Sequence, residues 1–154
     1  MRQIFVSVDV TAPLYFWSQL DTFKIGTTAN SESKMHTLHL RDLTMDDFST
    51  DGCDEMAVDA LEGLITVMNR FGASYAVYGD TQYWRSMVQL LPSCFNQMRT
   101  WTADYEVLLN IYQQRKGHKL SEWSDFRAWI EGLPYMSDYF LRSAGLMDEK
   151  GEEE

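Results

Sequence analysis

Ile4-Phe5-Val6-Ser7-Val8-Asp9-Val10, followed at once by Thr11-Ala12-Pro13 and then Leu14-Tyr15-Phe16-Trp17-Ser18-Gln19-Leu20, is the stretch that sets the fold class. Ile4, Val6, Val8 and Val10 alternate with Phe5, Ser7 and Asp9, the pattern of a strand with one buried face. Thr11 then reads as a helix N-cap. Pro13 falls near the first helical position, where its missing N–H costs nothing. The aromatic-rich residues after it continue as a buried helix. A strand running straight into a helix, in a chain whose remaining text is mostly helical, predicts an α+β protein. The expected form is a helix-rich single domain over 1–147 with a small antiparallel sheet, followed by an acidic disordered tail over 148–154.

Working outward, Gly26-Thr27-Thr28-Ala29-Asn30-Ser31-Glu32-Ser33 is small, polar and aperiodic. It reads as a loop whose backbone and hydroxyls offer hydrogen bonds to a ligand. Asp51 and Asp54 are N-cap candidates for a long helix in which Ala57, Ala60, Leu61, Leu64, Ile65, Met68 and Phe71 keep helical spacing up to Gly72. A further helix spans about Thr81 to Leu91 and stops at Pro92. Trp101, Tyr105, Leu108, Leu109 and Tyr112 form the inner face of the next, ending near Gly117, and Trp123, Phe126, Trp129 and Ile130 that of the last. Tryptophans and tyrosines at this spacing read as core or subunit interface before they read as base-stacking platforms.

A chain of 154 residues with 45% hydrophobic and 14% aromatic content has enough apolar surface for a real core. Its net charge of −10 argues against general binding to nucleic acid or to an anionic membrane. The acid is concentrated in Asp42, Asp46, Asp47, Asp51, Asp54, Glu55, Asp59 and Glu62, and again in Asp148, Glu149, Glu152, Glu153 and Glu154. Either this is a solvated face with a solubilising tail, or the acidic face binds a protein or mimics DNA. Outside those segments the charges nearly balance, which leaves room for a basic pocket. No apolar run approaches the ~20 residues of a membrane span. The opening residues move directly into alternation without a secretory h-region, so a cytoplasmic location is expected. Cys53 and Cys94 read as reduced thiols more readily than as a disulfide. His36 and His39 stand at i and i+3 without a Cys or carboxylate at ligand spacing, which makes a poor metal site.

Two segments together resemble the flavin-dependent thymidylate synthase family. The first is Thr11 to Gln19, followed by Phe23-Lys24-Ile25 and Asn30-Ser31-Glu32-Ser33. The family carries an Ala-Pro-aromatic helix with a Gln at the same offset, then an Arg-His-Arg triplet, an Asn, a Ser three residues on, and an Arg-Tyr pair. The second is Leu91-Pro92, Trp101-Thr102, Leu108, Asn110 and Arg115, with His118 just after. The family shows Leu-Pro, Trp-Thr, Leu, Asn and Arg at matching offsets and a His downstream. The two segments cover about half the chain. Its short length resembles that of the small relatives found in phage and prophage genomes, which would place it in a host cytoplasm.

The resemblance implies a homo-oligomer, a dimer or the family's tetramer, with sites that draw on several subunits. It also implies a reaction in which reduced FAD helps move a methylene group onto a pyrimidine nucleotide. The departures point away from that activity. The family's cationic triplet corresponds to Thr22-Phe23-Lys24, and its Arg-Tyr pair to Met35-His36. Val88 stands where a substrate-binding Arg is usual, with Arg85 about one turn away, and two polar family positions are Asp104 and Glu106. Only Arg offers a rigid two-pronged match to phosphate, and a carboxylate beside a diphosphate repels it. What remains is a polar constellation of Lys24, Asn30, Ser31, Ser33, Lys34, Arg85, Asn110 and Arg115, with no catalytic residue and no metal site. The expectation is a catalytically degenerate binder of a nucleotide or related phosphorylated ligand, used for sequestration or sensing of a host nucleotide, with no cofactor. An active FAD-dependent enzyme with an altered site and an acidic protein-binding inhibitor are the alternatives. For each constellation residue a bland reading also stands: Asn30 and Ser33 close a loop, Arg115 caps a helix C-terminus, and Lys24 is solvated.

Overall fold

Alternation from Phe5 does make a strand, but that strand outruns its apolar pattern. β1 spans Phe5–Pro13, and α1 follows as Leu14–Leu20. The N-cap of α1 is therefore Pro13, with no side-chain cap, in place of the expected Thr11. The computed structural model describes residues 1–31 and 34–146, without the side chains of 34 and 35. Along these residues the remaining elements are β2 (Thr27–Ser31), α2 (Lys34–Thr37), α3 (Glu55–Tyr78), α4 (Thr81–Leu90), β3 (Asn96–Asp104), α5 (Tyr105–Gln114) and α6 (Ser121–Glu131). A short 3-10 turn at Met45–Asp47 and a π-helical stretch at Met136–Leu141 complete them. The strands form one antiparallel sheet in the order β1-β3-β2. The protein is thus helix-rich α+β, as the sequence predicts. The acidic residues from 148 onward lie outside the described residues.

Two expected boundaries move, each for a physical reason. α3 passes through Gly72 and ends at Gly79, whose φ of 66° is left-handed, with its N–H bonded to the Tyr75 carbonyl at 2.8 Å. Gly72 is buried within the helix, in packing contact with α4. A Cβ at that position would stand 3.4 Å from both Sδ and Cε of Met87 on α4. Trp101, expected on a helix, belongs to β3, and the helix begins only at Tyr105. The polar run from Gly26 contains strand β2 and is not a loop throughout. By contrast, Asp54 caps α3 as expected, its carboxylate accepting the Met56 N–H at 2.9 Å. Asp80 caps α4 in the same way through the Gln82 N–H.

The chain divides into two compact units. The first comprises Met1–Val8, Thr22–Thr28 and the chain from Trp101, and the second Asp9–Asp21 and Ala29–Thr100. The second is organised around Leu38, Leu43, Phe48, Leu61, Ile65, Met68, Met87 and Phe95. Its acidic stretch is pinned to that core by Asn69, whose amide accepts the Leu43 N–H at 2.8 Å and donates to the Leu43 carbonyl at 3.0 Å. A single bridge joins Phe48 to Phe95, with their rings edge to face at 5.6 Å. Arg99 lies over the Trp17 ring at 4.6 Å and pairs with Asp21 at 3.0 Å. In the first unit Leu108, Ile111, Trp123, Ile130, Met136 and Leu141 are fully buried. Tyr105 and Tyr112 close it with hydroxyl bonds to the Pro134 carbonyl (2.9 Å) and to Glu131 (2.6 Å).

Candidate functional site

Just before β2, the first unit carries a segment that turns back on itself at residues 22–26. Thr27 Oγ1 donates to the Phe23 carbonyl at 2.6 Å and closes this turn. Gly26, at φ 76°, lets the turn come down on the start of α5. A Cβ there would stand 2.9 Å from Val107 Cγ2 and 3.3 Å from Asp104 Oδ2. The result is a cleft of about 220 Å³ lined by Thr22, Phe23, Lys24, Ile25, Val107, Asn110 and Gln114. Val107, Asn110 and Gln114 recur at three and four residues, so they share one face of α5. Ile25 is 90% exposed and forms an open apolar rim.

The structure brings Lys24 and Asn110 together in this cleft. Lys24 supplies an ammonium, Asn110 and Gln114 supply carboxamides that both donate and accept, and Phe23, Ile25 and Val107 supply apolar walls. Arg115 stands behind this wall. It is the C-cap of α5, and its guanidinium lies over the Phe23 ring at 5.2 Å and the Trp123 ring at 4.4 Å. Its Nε is buried with no hydrogen-bond partner among the described residues. Arg115 therefore holds Phe23 against the fully buried Trp123, whose own ring meets Phe23 at 6.4 Å and His118 at 6.0 Å.

Asn30 and Ser31 are exposed on β2 and Arg85 is exposed on α4, all three in the second unit. Ser33 and the side chain of Lys34 lie outside the described residues. Sequence reasoning missed Val107 and Gln114, which the three- and four-residue spacing from Asn110 was sufficient to find. It also missed Phe23 as a wall.

The two carboxylates near the start of α5 have partners of their own. Asp104 is nearly buried and accepts the Val107 N–H at 2.9 Å as the N-cap. Glu106 forms a two-pronged pair with Arg2, at 2.7 and 2.8 Å, and this hydrogen bonding draws its carboxyl below the usual range. Elsewhere, Asp47 pairs with Arg41 and closes the capping box of Thr44, so part of the acidic stretch is structural. His39 packs its ring edge-on to Tyr75 at 4.8 Å. Among the described residues no cluster of His, Cys, Asp or Glu fits a metal ion, and no helix is long and apolar enough to cross a membrane.

The overall course of the backbone has counterparts among solved structures. Flavin-dependent thymidylate synthase ThyX from Helicobacter pylori, complexed with FAD and dUMP, superposes with a TM-score of 0.66 over 93% of this chain and 73% of its own. A second structure of that protein with FAD and dUMP gives a TM-score of 0.68 over 94% and 74%. The chain has the flavin-dependent thymidylate synthase fold. Sequence identity to both ThyX structures is 14%, so the likeness is one of fold. No protein-family model matches the sequence, and no curated protein matches it. On this fold the Ala12-Pro13 segment is the end of β1, with Pro13 as the N-cap of α1, and Asn110 and Arg115 lie on and just after α5.

Proposed function

We propose that this ThyX-like chain binds a nucleotide or a related phosphorylated ligand without turning it over, and does so as a homo-oligomer. The observation that carries this reading is the meeting of Lys24 and Asn110 in one cleft with Gln114 and a wall of Phe23, Ile25 and Val107. An ammonium is suited to a phosphate as a point charge, and paired carboxamides to the edge of a base. Apolar walls take the face of the base or the sugar. The ThyX neighbours hold dUMP, which makes a pyrimidine mononucleotide the first ligand to try.

The same residues do not fit a flavin dinucleotide. FAD brings a diphosphate, and the lining offers one ammonium, while the Arg115 guanidinium is turned onto two aromatic rings. The reading therefore has no step through flavin. Binding without chemistry suits sequestration or sensing of a nucleotide.

Calorimetry against a panel of 5′-mononucleotides that includes dUMP tests this. Lys24→Ala removes a charge-assisted contact of about 1.5–3 kcal/mol and is expected to weaken binding roughly 10- to 100-fold. Asn110→Ala removes a neutral hydrogen bond and should cost about three- to ten-fold. Equal affinity in wild type and Lys24→Ala, or no heat with any nucleotide, contradicts the assignment.

A further inference from the structure

Helix α3 buries only one of its sides: Leu61, Ile65, Met68 and Gly72 are its buried residues. A surface helix ordinarily turns polar and charged residues to the opposite side. α3 instead presents Met56, Ala60, Gly63, Val67 and, nearly three turns on, Val77. Met56 is 77% exposed, Val67 40% and Val77 73%. A Cβ on Gly63 would meet nothing within 4 Å, so this side has an open notch at its middle. Arg70 is exposed on the same side, the only Lys or Arg of the helix, and no ion pair engages it among the described residues. Asp59 flanks the side on the same edge as Arg70.

We propose that a second copy of this chain docks along α3 in antiparallel fashion, about a two-fold axis passing between Thr66 and Val67. That register is self-complementary. Val77 faces Met56 of the second copy, and Val67 lies at the axis beside its own image. Arg70 faces Gly63 of the second copy, where the missing side chain leaves room for a long guanidinium. Asp59 of the second copy lies one turn along the same edge as its counter-charge. In an antiparallel pair the same edges of the two helices meet, so the contact forms twice. A parallel pair sets Arg70 near its own image at the seam and carries the two Asp59 edges to opposite sides, so the like charges repel and the counter-charge is lost. The charges therefore select the antiparallel arrangement, and the apolar side supplies the contact. The proposal rests on the oligomer inferred above but not on what the cleft binds.

Sedimentation velocity of the full chain over a range of concentrations tests it, with circular dichroism to verify folding of each variant. Val67→Asp places two carboxylates at the axis and should raise the dissociation constant at least about ten-fold. Arg70→Glu should do the same, and the double swap Asp59→Arg with Arg70→Glu should restore assembly to within about three-fold of wild type. A monomeric wild type overturns both this interface and the oligomer. A wild-type oligomer unmoved by Val67→Asp and Arg70→Glu overturns the interface alone. Dissociation by Arg70→Glu without recovery in the double swap overturns the antiparallel register.

Discussion

Trp123→Ala is expected to destabilise the protein by roughly 3–5 kcal/mol, the range for removing a large aromatic ring from a packed core. Trp123 is fully buried, and its ring has Phe126 edge-on at 5.9 Å besides Phe23 and His118. It also provides the nearer of the two faces for the Arg115 guanidinium, at 4.4 Å. Taking the ring away leaves a cavity and leaves a charged group, already short of a partner at Nε, without most of its stabilising contact. For a chain of this size that loss lowers the melting temperature by about 10 °C or more. Trp123→Phe keeps an aromatic face and should recover much of it. Thermal and urea unfolding of the three proteins decide the matter, and a loss below about 1 kcal/mol for Trp123→Ala contradicts the role given to this ring.

Gly26→Val joins the site to the fold. The residue sits at φ 76°, a conformation that a β-branched side chain adopts only under strain, at a cost of about 1–3 kcal/mol. The new Cβ also meets Val107 Cγ2 at 2.9 Å and the capping Asp104 carboxylate at 3.3 Å, and overpacking of that kind costs a further ~1–3 kcal/mol. Relief comes from lifting the 22–26 turn away from α5, and that turn is one wall of the cleft. The expected result is a loss of roughly 2–6 kcal/mol together with loss of mononucleotide binding in the fraction that still folds. Gly26→Ala, which keeps the strained φ but adds less bulk, should fall between. A Gly26→Val protein with wild-type melting and wild-type binding contradicts the proposed close approach.

The parts of this fold that the sequence discloses are those where a local signal agrees with the tertiary one. Asp54 is a capping residue before an apolar-periodic run, and it caps. Trp123, Phe126 and Ile130 share one face of α6, and all three are buried. The signal fails where a neighbour decides. Gly72 looks like a stop because glycine is a poor helix former, yet it is retained inside α3, where it packs against Met87. Trp101 and Tyr105 are four apart and look helical, but Trp101 and Ala103 are inward residues of β3 and the helix starts afterwards. β2 stands at the edge of the sheet with four of its five residues exposed, so it has no apolar alternation to reveal it.

The site was legible to a different degree. Lys24, Asn110 and Arg115 were singled out only because of a family resemblance, since neither charge nor periodicity marks them. The structure then separates their parts: two line the cleft, and Arg115 supports the ring that walls it. Arg115 was expected to bind ligand, or to cap a helix end. It occupies the helix end, and the use of its guanidinium against Phe23 and Trp123 depends on a contact between residues about ninety positions apart, which no local pattern records.

The most direct test of the central claim is native mass spectrometry of the purified protein, followed by denaturation and identification of whatever small molecule is released. A homo-oligomer that releases a nucleotide or related phosphorylated compound is the predicted result, and Lys24→Ala should empty it. A monomer that releases nothing contradicts the claim and turns attention to a protein partner for the acidic face.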